Sequence, residues 1–394
     1  MKILHVLMSD GGGAGLAAYR LHCGLRAVGE DSRMLCYEKF SDDETVVKYD
    51  PPVLPRRILG GWRHRSVLCE MKPIERRSGF ELYSFPYSGF SVESHPLVRA
   101  ADIVHLHWIA FFVNYPTFFS RVNKPLVWTL HDQNPFLGGF HYADDEVRNP
   151  WPIDRRMKAV KTAGVKKAQD LTVVSPSRWL DACASKSETF QGRPHRVIPY
   201  GVDLAKFTPQ PRDAARKRFG IPRDKTVLLF VSNPAPGVYH RKGIDMLEAG
   251  VSRFTSLGLH VCGIGAFKNG DVHAIPPIRQ AEEMTALYSA ADFVIVPSRE
   301  DNLPNTMLEA MACGTPVIGT PVGGMVDFIR TGETGVLARD VSVEALCEAV
   351  REAVETHSFD RAKIRAFAEE NFALEKQARA YCEAYREVLE RGAG

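Results

Sequence analysis

The sequence predicts an α/β protein built as two doubly wound lobes. Three observations carry this. The chain has 394 residues, and at roughly 150 residues per domain that is too long for one core. Short runs rich in Val, Ile and Leu, bounded by turn residues, read as strands covered on both faces of a parallel sheet. Helix-length amphipathic segments separate these runs, as in repeated βαβ units, and the series restarts near Thr226.

The first series comprises Ile3–Met8, Ser32–Tyr37, Ile103–Trp108, Leu126–Leu130, Leu171–Val174 and Val197–Pro199; the second comprises Val227–Val231, His260–Ile264, Phe293–Val296 and Val317–Gly319. A polar, proline-bearing seam lies between them near Asp203–Arg212, within VDLAKFTPQPRD. The expected boundaries are 1–205 for the first lobe, 206–372 for the second, and 373–394 for a terminal helix. Phe359–Arg391 reads as helix throughout, with Leu374, Ala378, Tyr381, Cys382, Tyr385 and Val388 on one apolar face.

Hydrophobic residues make up 45% and charged residues 25% of the chain. This balance excludes disordered, collagenous and disulfide-scaffold chains. No stretch approaches the ~20 apolar residues of a membrane span. MKILHVLMSDGGG reads as a first strand rather than a secretory signal, because its short apolar run meets Asp10 and a glycine cluster. The eight cysteines are scattered without CxxC spacing, which points to thiols in a reducing cytoplasm and away from zinc.

A net charge of +3 argues against a dedicated nucleic-acid binder. The charge is uneven: residues 1–205 carry 27 Lys/Arg against 22 Asp/Glu, and the remainder 23 against 25. Much of the excess falls at Arg56, Arg57, Arg63, Arg65, Lys72, Arg76 and Arg77, around Trp62. The stretch 56–77 suits an anionic membrane surface or a lipid-linked pyrophosphate, and equally a solvated basic loop.

Four motifs carry chemistry. SDGGGAGLAAYRL follows the first strand; Gly12 and Gly13 let the backbone approach a phosphate or sugar at a helix start, and a plain βα turn has even odds. In WTLHDQNPFLGGFHY, His131 and Asp132 lie at the C-terminal end of a parallel strand, the edge where open α/β sheets bind ligands. An isolated HD pair is more often a packed imidazole and a capping acid. His105 and His107 sit at a neighbouring strand end; without a Cys or carboxylate partner they do not read as a metal site. In NPAPGVYHRKGIDML, Arg241 and Lys242 enter a helix, a cationic setting suited to a diphosphate, although most such turns are simply solvated.

The fourth motif, PSREDNLPNTMLEAMACGTPVIGTPVGGMVD, is the most specific. Ser298–Asn302 is a polar loop at a strand end, Asn305–Ala312 a helix, and Gly314 its stop. Asp301 and Glu309, eight residues apart, are able to address two ends of one elongated polar ligand. Acids are rarely buried without partners, which supports binding.

These residues resemble the retaining nucleotide-sugar glycosyltransferases of family 4. The resemblance rests on GGGAGLAAYRL, TLHD, IPYGVD, RKGIDML, YSAADFVIVPS, EDNLPNTMLEAMACGTPVIGTPVGG and TGVLA in family order. It implies the GT-B architecture, two Rossmann-like lobes facing across a cleft, with the first on the acceptor side, the second on the donor side, and the last helix crossing back to the first. Glu309 resembles the acid that holds the ribose hydroxyls. Asp301 stands where the first acid of the pair addresses the sugar, in place of the usual Glu; Glu300, one residue earlier, is the alternative. Arg241 and Lys242 resemble the diphosphate clamp, His131 the histidine near the transferred sugar, and Gly12 and Gly13 the loop approaching the donor. Asn302, Leu303 and Asn305 fall in the donor-binding segment.

The implied reaction is sugar transfer from a nucleotide diphosphate to a glycan or lipid-linked hydroxyl, with retention and without a metal or other cofactor, in cytoplasmic cell-surface polysaccharide synthesis at the inner membrane face. The alternative is a catalytically silent nucleotide-sugar binder. Two further departures bear on it: Ser232 and Asn233 stand where the family usually carries a basic residue, and Phe140-His141-Tyr142 lacks the cysteines of some relatives.

Overall fold

A computed structural model describes residues 1–51, 80–232, 238–265, 267, 269–278 and 280–392. The basic stretch 56–77 and Asn233 lie outside the described residues. The chain forms two compact units, one of Met1–Pro199 with Glu375–Gly394, the other of Tyr200–Leu374.

Unit 1 is built on a parallel sheet of seven strands: β1 (Lys2–Ser9), β2 (Asp31–Glu38), β3 (Val46–Lys48), β4 (Ile103–Leu106), β5 (Leu126–Thr129), β6 (Leu171–Ser175) and β7 (His195–Val197). Their order is β3-β2-β1-β4-β5-β6-β7. Strand order therefore reverses between β1 and β4, whose register pairs Ile3 with Ile103 and His5 with His105. Every side chain of β4, β5 and β6 is buried, so the runs lack polar alternation. One face packs under Phe112, Phe118, Phe119 and Trp128; the other packs Ile3, Leu21, Leu25 and Val127 against the terminal helix.

Two sequence expectations shift. The last strand of unit 1 is His195–Val197 rather than Val197–Pro199, because Val173, Val174 and Ser175 of β6 pair with residues 195–197. The tail is two helices, Arg361–Phe372 and Leu374–Gly392. Ala373 breaks the run in extended backbone (ψ 129°); it bridges to Val202, whose N–H donates to Phe372 O at 2.8 Å. That tertiary bond leaves no helical trace in the amphipathic pattern. Beyond the break, Ala378, Tyr381, Cys382, Tyr385 and Val388 are buried against the sheet of unit 1.

Unit 2 has a six-stranded parallel sheet: β8 (Thr226–Val231), β9 (Leu259–Ile264), β10 (His273–Ile275), β11 (Phe293–Val296), β12 (Val317–Gly319) and β13 (Gly335–Leu337). The order β10-β9-β8-β11-β12-β13 reverses between β8 and β11. Helices Ile244–Ser256 and Val343–Glu355 cover one face through Met246, Leu247, Val251, Leu346 and Val350. The three-residue edge strands β3, β10 and β13 are too short to stand out in an apolar-run search. No described helix is long and apolar enough to cross a membrane, and the described residues contain no disulfide.

Candidate functional site

In a doubly wound sheet the loops leaving the two strands at the reversal diverge and open a crevice at their C-terminal ends. In unit 2 those loops are the one after β8, which leads to Arg241 and Lys242, and the one after β11, which carries Ser298–Leu303. The fold brings them together. Lys242 Nζ donates to Asp301 Oδ2 at 2.5 Å, and Arg241 Nη1 lies 3.9 Å from Asp301 Oδ1. Arg241 Nη1 also donates to the Glu300 carbonyl at 3.1 Å, and Arg299 N to Arg241 O at 2.7 Å.

Two left-handed glycines make this approach possible. Gly243 has φ +66°, and a Cβ there would stand 1.9 Å from Pro297 O. Gly323 has φ +55°, and its Cβ would stand 1.8 Å from Asp301 O. Each lets a neighbouring backbone press against the acidic loop where any side chain would collide. Thr320 Oγ1 donates to Ser298 O from the same side. The bidentate pair of Arg299 with Asp245, at 2.5 and 2.7 Å, ties the loop to helix Ile244–Ser256.

Asp301 is 6% exposed. Burial alone would raise its pKa, but Lys242 and Arg241, with the Asn302 N–H at 2.9 Å, hold it below the usual carboxylate range. Lys242 keeps about a quarter of its side chain exposed (26%) and remains accessible. Glu300 is half-buried and meets Arg241 through its carbonyl. Asn302 is buried, its Nδ2 3.4 Å from Tyr200 Oη, and Leu303 is buried beside it. Asn305 opens helix Asn305–Ala312, which has no side-chain N-cap. Two turns on, Glu309 is 7% exposed and accepts from Tyr288 Oη at 2.9 Å. Tyr288, buried on helix Ala281–Ala290, opens the motif YSAADFVIVPS, but sequence reasoning gave it no role.

In unit 1 the reversal lies between β1 and β4. The glycine loop after β1 enters helix Gly12–Ala27, with Gly12 at φ +71° and both Gly12 and Gly13 exposed. A Cβ on Gly15 would lie 2.5 Å from Ser9 O, so the turn there is tight. The Asp10 carboxylate accepts from Phe40 N at 2.7 Å and Ser41 N at 3.0 Å, fastening the loop to the segment after β2.

His131 and Asp132 follow β5 and do different work. Asp132 is a structural node: its Oδ2 accepts from Trp108 Nε1 at 2.8 Å and pairs with His141 Nδ1 at 2.6 Å, while Oδ1 caps Asn134 N at 3.0 Å. Burial would raise its pKa; His141 and these hydrogen bonds hold it low. His131 Nε2 meets His107 Nδ1 at 3.0 Å, and burial lowers its pKa to about 4, keeping the ring neutral.

His105 sits within β4 rather than at its end; its Nδ1 meets Tyr385 Oη at 2.6 Å and its Nε2 meets Thr129 Oγ1 at 2.7 Å. His5, His105 and His107 offer nitrogens within 4.8 Å of one another. Both ring nitrogens of each are already hydrogen-bonded, so this trio does not fit a cation.

Residues 225–356 match the family described as glycosyl transferases group 1. The chain is 30% identical over 352 residues to a D-inositol 3-phosphate glycosyltransferase of Kineococcus radiotolerans, covering 79% of this chain and 77% of that protein. It is 29% identical over 260 residues to the protein of the same name from Thermobispora bispora, covering 60% of this chain and 58% of the relative. Several curated relatives are thus spanned for little more than half their length. Among solved structures, a sucrose-phosphate synthase from Thermosynechococcus elongatus superposes with a TM-score of 0.69 at 18% identity, covering 99% of this chain and 100% of the other. HepE from Anabaena, solved with UDP and glucose, gives 0.63 at 16% identity over 98% and 99% of the two chains. These structures share the GT-B fold.

Proposed function

We propose a function from one premise: the chain belongs to the glycosyl transferases group 1 family. It moves a sugar from a nucleotide diphosphate to a hydroxyl, with retention of anomeric configuration. The observation that carries this is the pair of cations, Arg241 and Lys242, gathered at the reversal of the unit 2 sheet around a buried acid. When the sugar–oxygen bond breaks, the diphosphate gains negative charge, and fixed cations aimed at that charge lower the barrier. Lys242 and Arg241 take the part that a metal plays elsewhere. Asp301 addresses the sugar hydroxyls, and its place among the cations favours it over Glu300. Glu309, two helical turns on, holds the ribose, with Asn302, Leu303 and Asn305 lining the donor segment. In unit 1, His131 meets a polar ligand, and Gly12 and Gly13 offer backbone at a helix start. The acceptor proton leaves by way of the departing phosphate in a front-face displacement.

Thermal-shift screening against UDP-, GDP-, ADP- and dTDP-sugars tests the donor class. UDP-sugars lead the panel because HepE was solved with UDP and UDP-glucose. Inositol phosphate joins a lipid-linked glycan in the acceptor panel, because the relatives are named for D-inositol 3-phosphate. A melting rise with one nucleotide sugar and turnover with an acceptor are expected; no shift with any donor would defeat the proposal. The second reading, a silent nucleotide-sugar binder, is favoured by the engagement of Lys242 with Asp301 and predicts a shift without turnover.

Membrane association at the cytoplasmic face, in surface-polysaccharide synthesis, rests on the charge of 56–77. Flotation with anionic vesicles at physiological salt is expected to lift the protein, and reversal of Arg56, Arg57 and Arg63 to abolish it.

A further inference from the structure

A line of hydrogen bonds runs through unit 1 from His131 to Asp43. His131 Nε2 lies 3.0 Å from His107 Nδ1, and His107 Nε2 lies 2.8 Å from His5 Nδ1. His5 Nε2 lies 3.1 Å from Ser32 Oγ, which lies 2.8 Å from His22 Nδ1. His22 Nε2 lies 2.8 Å from Thr45 Oγ1, which lies 2.6 Å from Asp43 Oδ1. The line runs from the segments after β5 and β4 through β1 and β2 and reaches solvent at Asp43, whose side chain is 17% exposed.

His5 and His22 are wholly buried, His107 is 2% exposed and His131 8%. Burial penalises the charged form, so each ring is neutral, with one N–H and one lone pair. Such a chain has two possible directions, and the carboxylate at its Asp43 end favours one of them. The Asp43 carboxylate accepts and does not donate. Thr45 must therefore give its hydroxyl proton to Asp43. Its oxygen receives from Arg26 Nη1 at 3.2 Å and from His22 Nε2–H. His22 Nδ1 then accepts from Ser32, Ser32 accepts from His5 Nε2–H, His5 Nδ1 accepts from His107 Nε2–H, and His107 Nδ1 accepts from His131 Nε2–H. The opposite direction would set a Thr45 lone pair against the carboxylate at 2.6 Å. The other groups facing the line are His105 from β4, backed by Tyr381 and Tyr385 of the terminal helix, with Tyr19 and Arg26 near Asp43 and Asp132 beside His131.

We propose that Asp43, acting through this line, fixes the neutral Nε2–H tautomer of His131 and so presents Nδ1 as a hydrogen-bond acceptor. His107, His5, Ser32, His22 and Thr45 are positioning residues. The bearing on sugar transfer, which rests on the glycosyltransferase reading, is that His131 Nδ1 carries a lone pair and does not donate to a phosphate oxygen.

Nitrogen-15 NMR of the whole chain, with labelled histidine at neutral pH, tests this. His22, His5, His107 and His131 are each expected with the proton on Nε2 alone; Nδ1–H on any of the four overturns the proposal. Ser32→Ala and Thr45→Val cut the line with little change in volume, and His131 is then expected as a tautomer mixture. Thr45→Ser, which keeps the hydroxyl, restores the single form. If His131 stays wholly Nε2–H in both cut variants, local surroundings set its tautomer and the proposal falls. A protein that turns over no nucleotide sugar defeats the functional reading, while the NMR still decides this one. If sugar transfer is present, the cut variants are expected to lose on the order of tenfold in kcat at unchanged donor KM.

Discussion

Lys242 Nζ sits 2.5 Å from Asp301 Oδ2, and the acid in this pair is almost wholly buried. The two residues come from loops after different strands, 59 positions apart in sequence. A buried carboxylate held by two cations is an organised charge set in place before any ligand arrives. Removing one partner costs more than the pair contributes, because the other is left buried and unbalanced.

Lys242→Ala is therefore expected to slow turnover roughly ten- to a hundredfold, the equivalent of about 1.5–3 kcal/mol for a charge-assisted contact. It also lowers the melting temperature, since of its two cations Asp301 keeps only the more distant Arg241. Steady-state kinetics with calorimetry checks both; a wild-type rate in this variant removes Lys242 from the mechanism.

Glu309→Ala acts on binding. It deletes the buried acceptor of the Tyr288 hydroxyl and, in the proposed role, the ribose contact. Nucleotide affinity is expected to fall at least tenfold by titration calorimetry. Tyr288→Phe keeps the carboxylate and costs only about 1 kcal/mol. Equal effects of the two variants would mean that Glu309 matters only through Tyr288.

Gly323→Ala tests the tight contact behind the acidic loop. The new Cβ meets Asp301 O at 1.8 Å, so the Asp301 backbone is forced to move, and both stability and donor binding fall. Gly12→Ala is the control: its φ is +71° but nothing lies within 4 Å. It costs only the left-handed penalty, about 1–2 kcal/mol. Melting curves of the two variants separate collision from conformational cost.

The pH dependence of stability carries two downward shifts of different cause with one outcome. His131 and His22 have folded pKa values of about 4, below 6.5, through burial. The unfolded chain takes up these protons first, so stability is full above about pH 6.5 and falls between there and pH 4. The depressed Asp301 adds stability above its unfolded pKa of 3.8 that is lost as pH falls through its lower folded value. Melting temperature against pH is expected to drop first in the histidine window, and His22→Gln to flatten that part. An unchanged slope in the variant would contradict a neutral buried His22.

Much of the architecture was legible because buried parallel strands leave apolar runs: β11 and β12 match the expected residues, and helix Asn305–Ala312 was readable from its proline and glycine punctuation. The donor-site candidates were legible because they cluster in two short motifs. The short edge strands left no run, and the break at Ala373 depends on a bond to Val202.

By itself the sequence determined the two α/β series, the motif residues Arg241, Lys242, Asp301 and Glu309, and the resemblance that ordered them, since periodicity and short-range spacing are local properties. Only the tertiary structure decided that Asp301 faces Lys242, that Tyr288 holds Glu309, and that histidines as distant as His5 and His131 share one line of hydrogen bonds. Those relations arise where strands far apart in the chain pair side by side, and sheet register, which no local pattern encodes, sets which side chains meet.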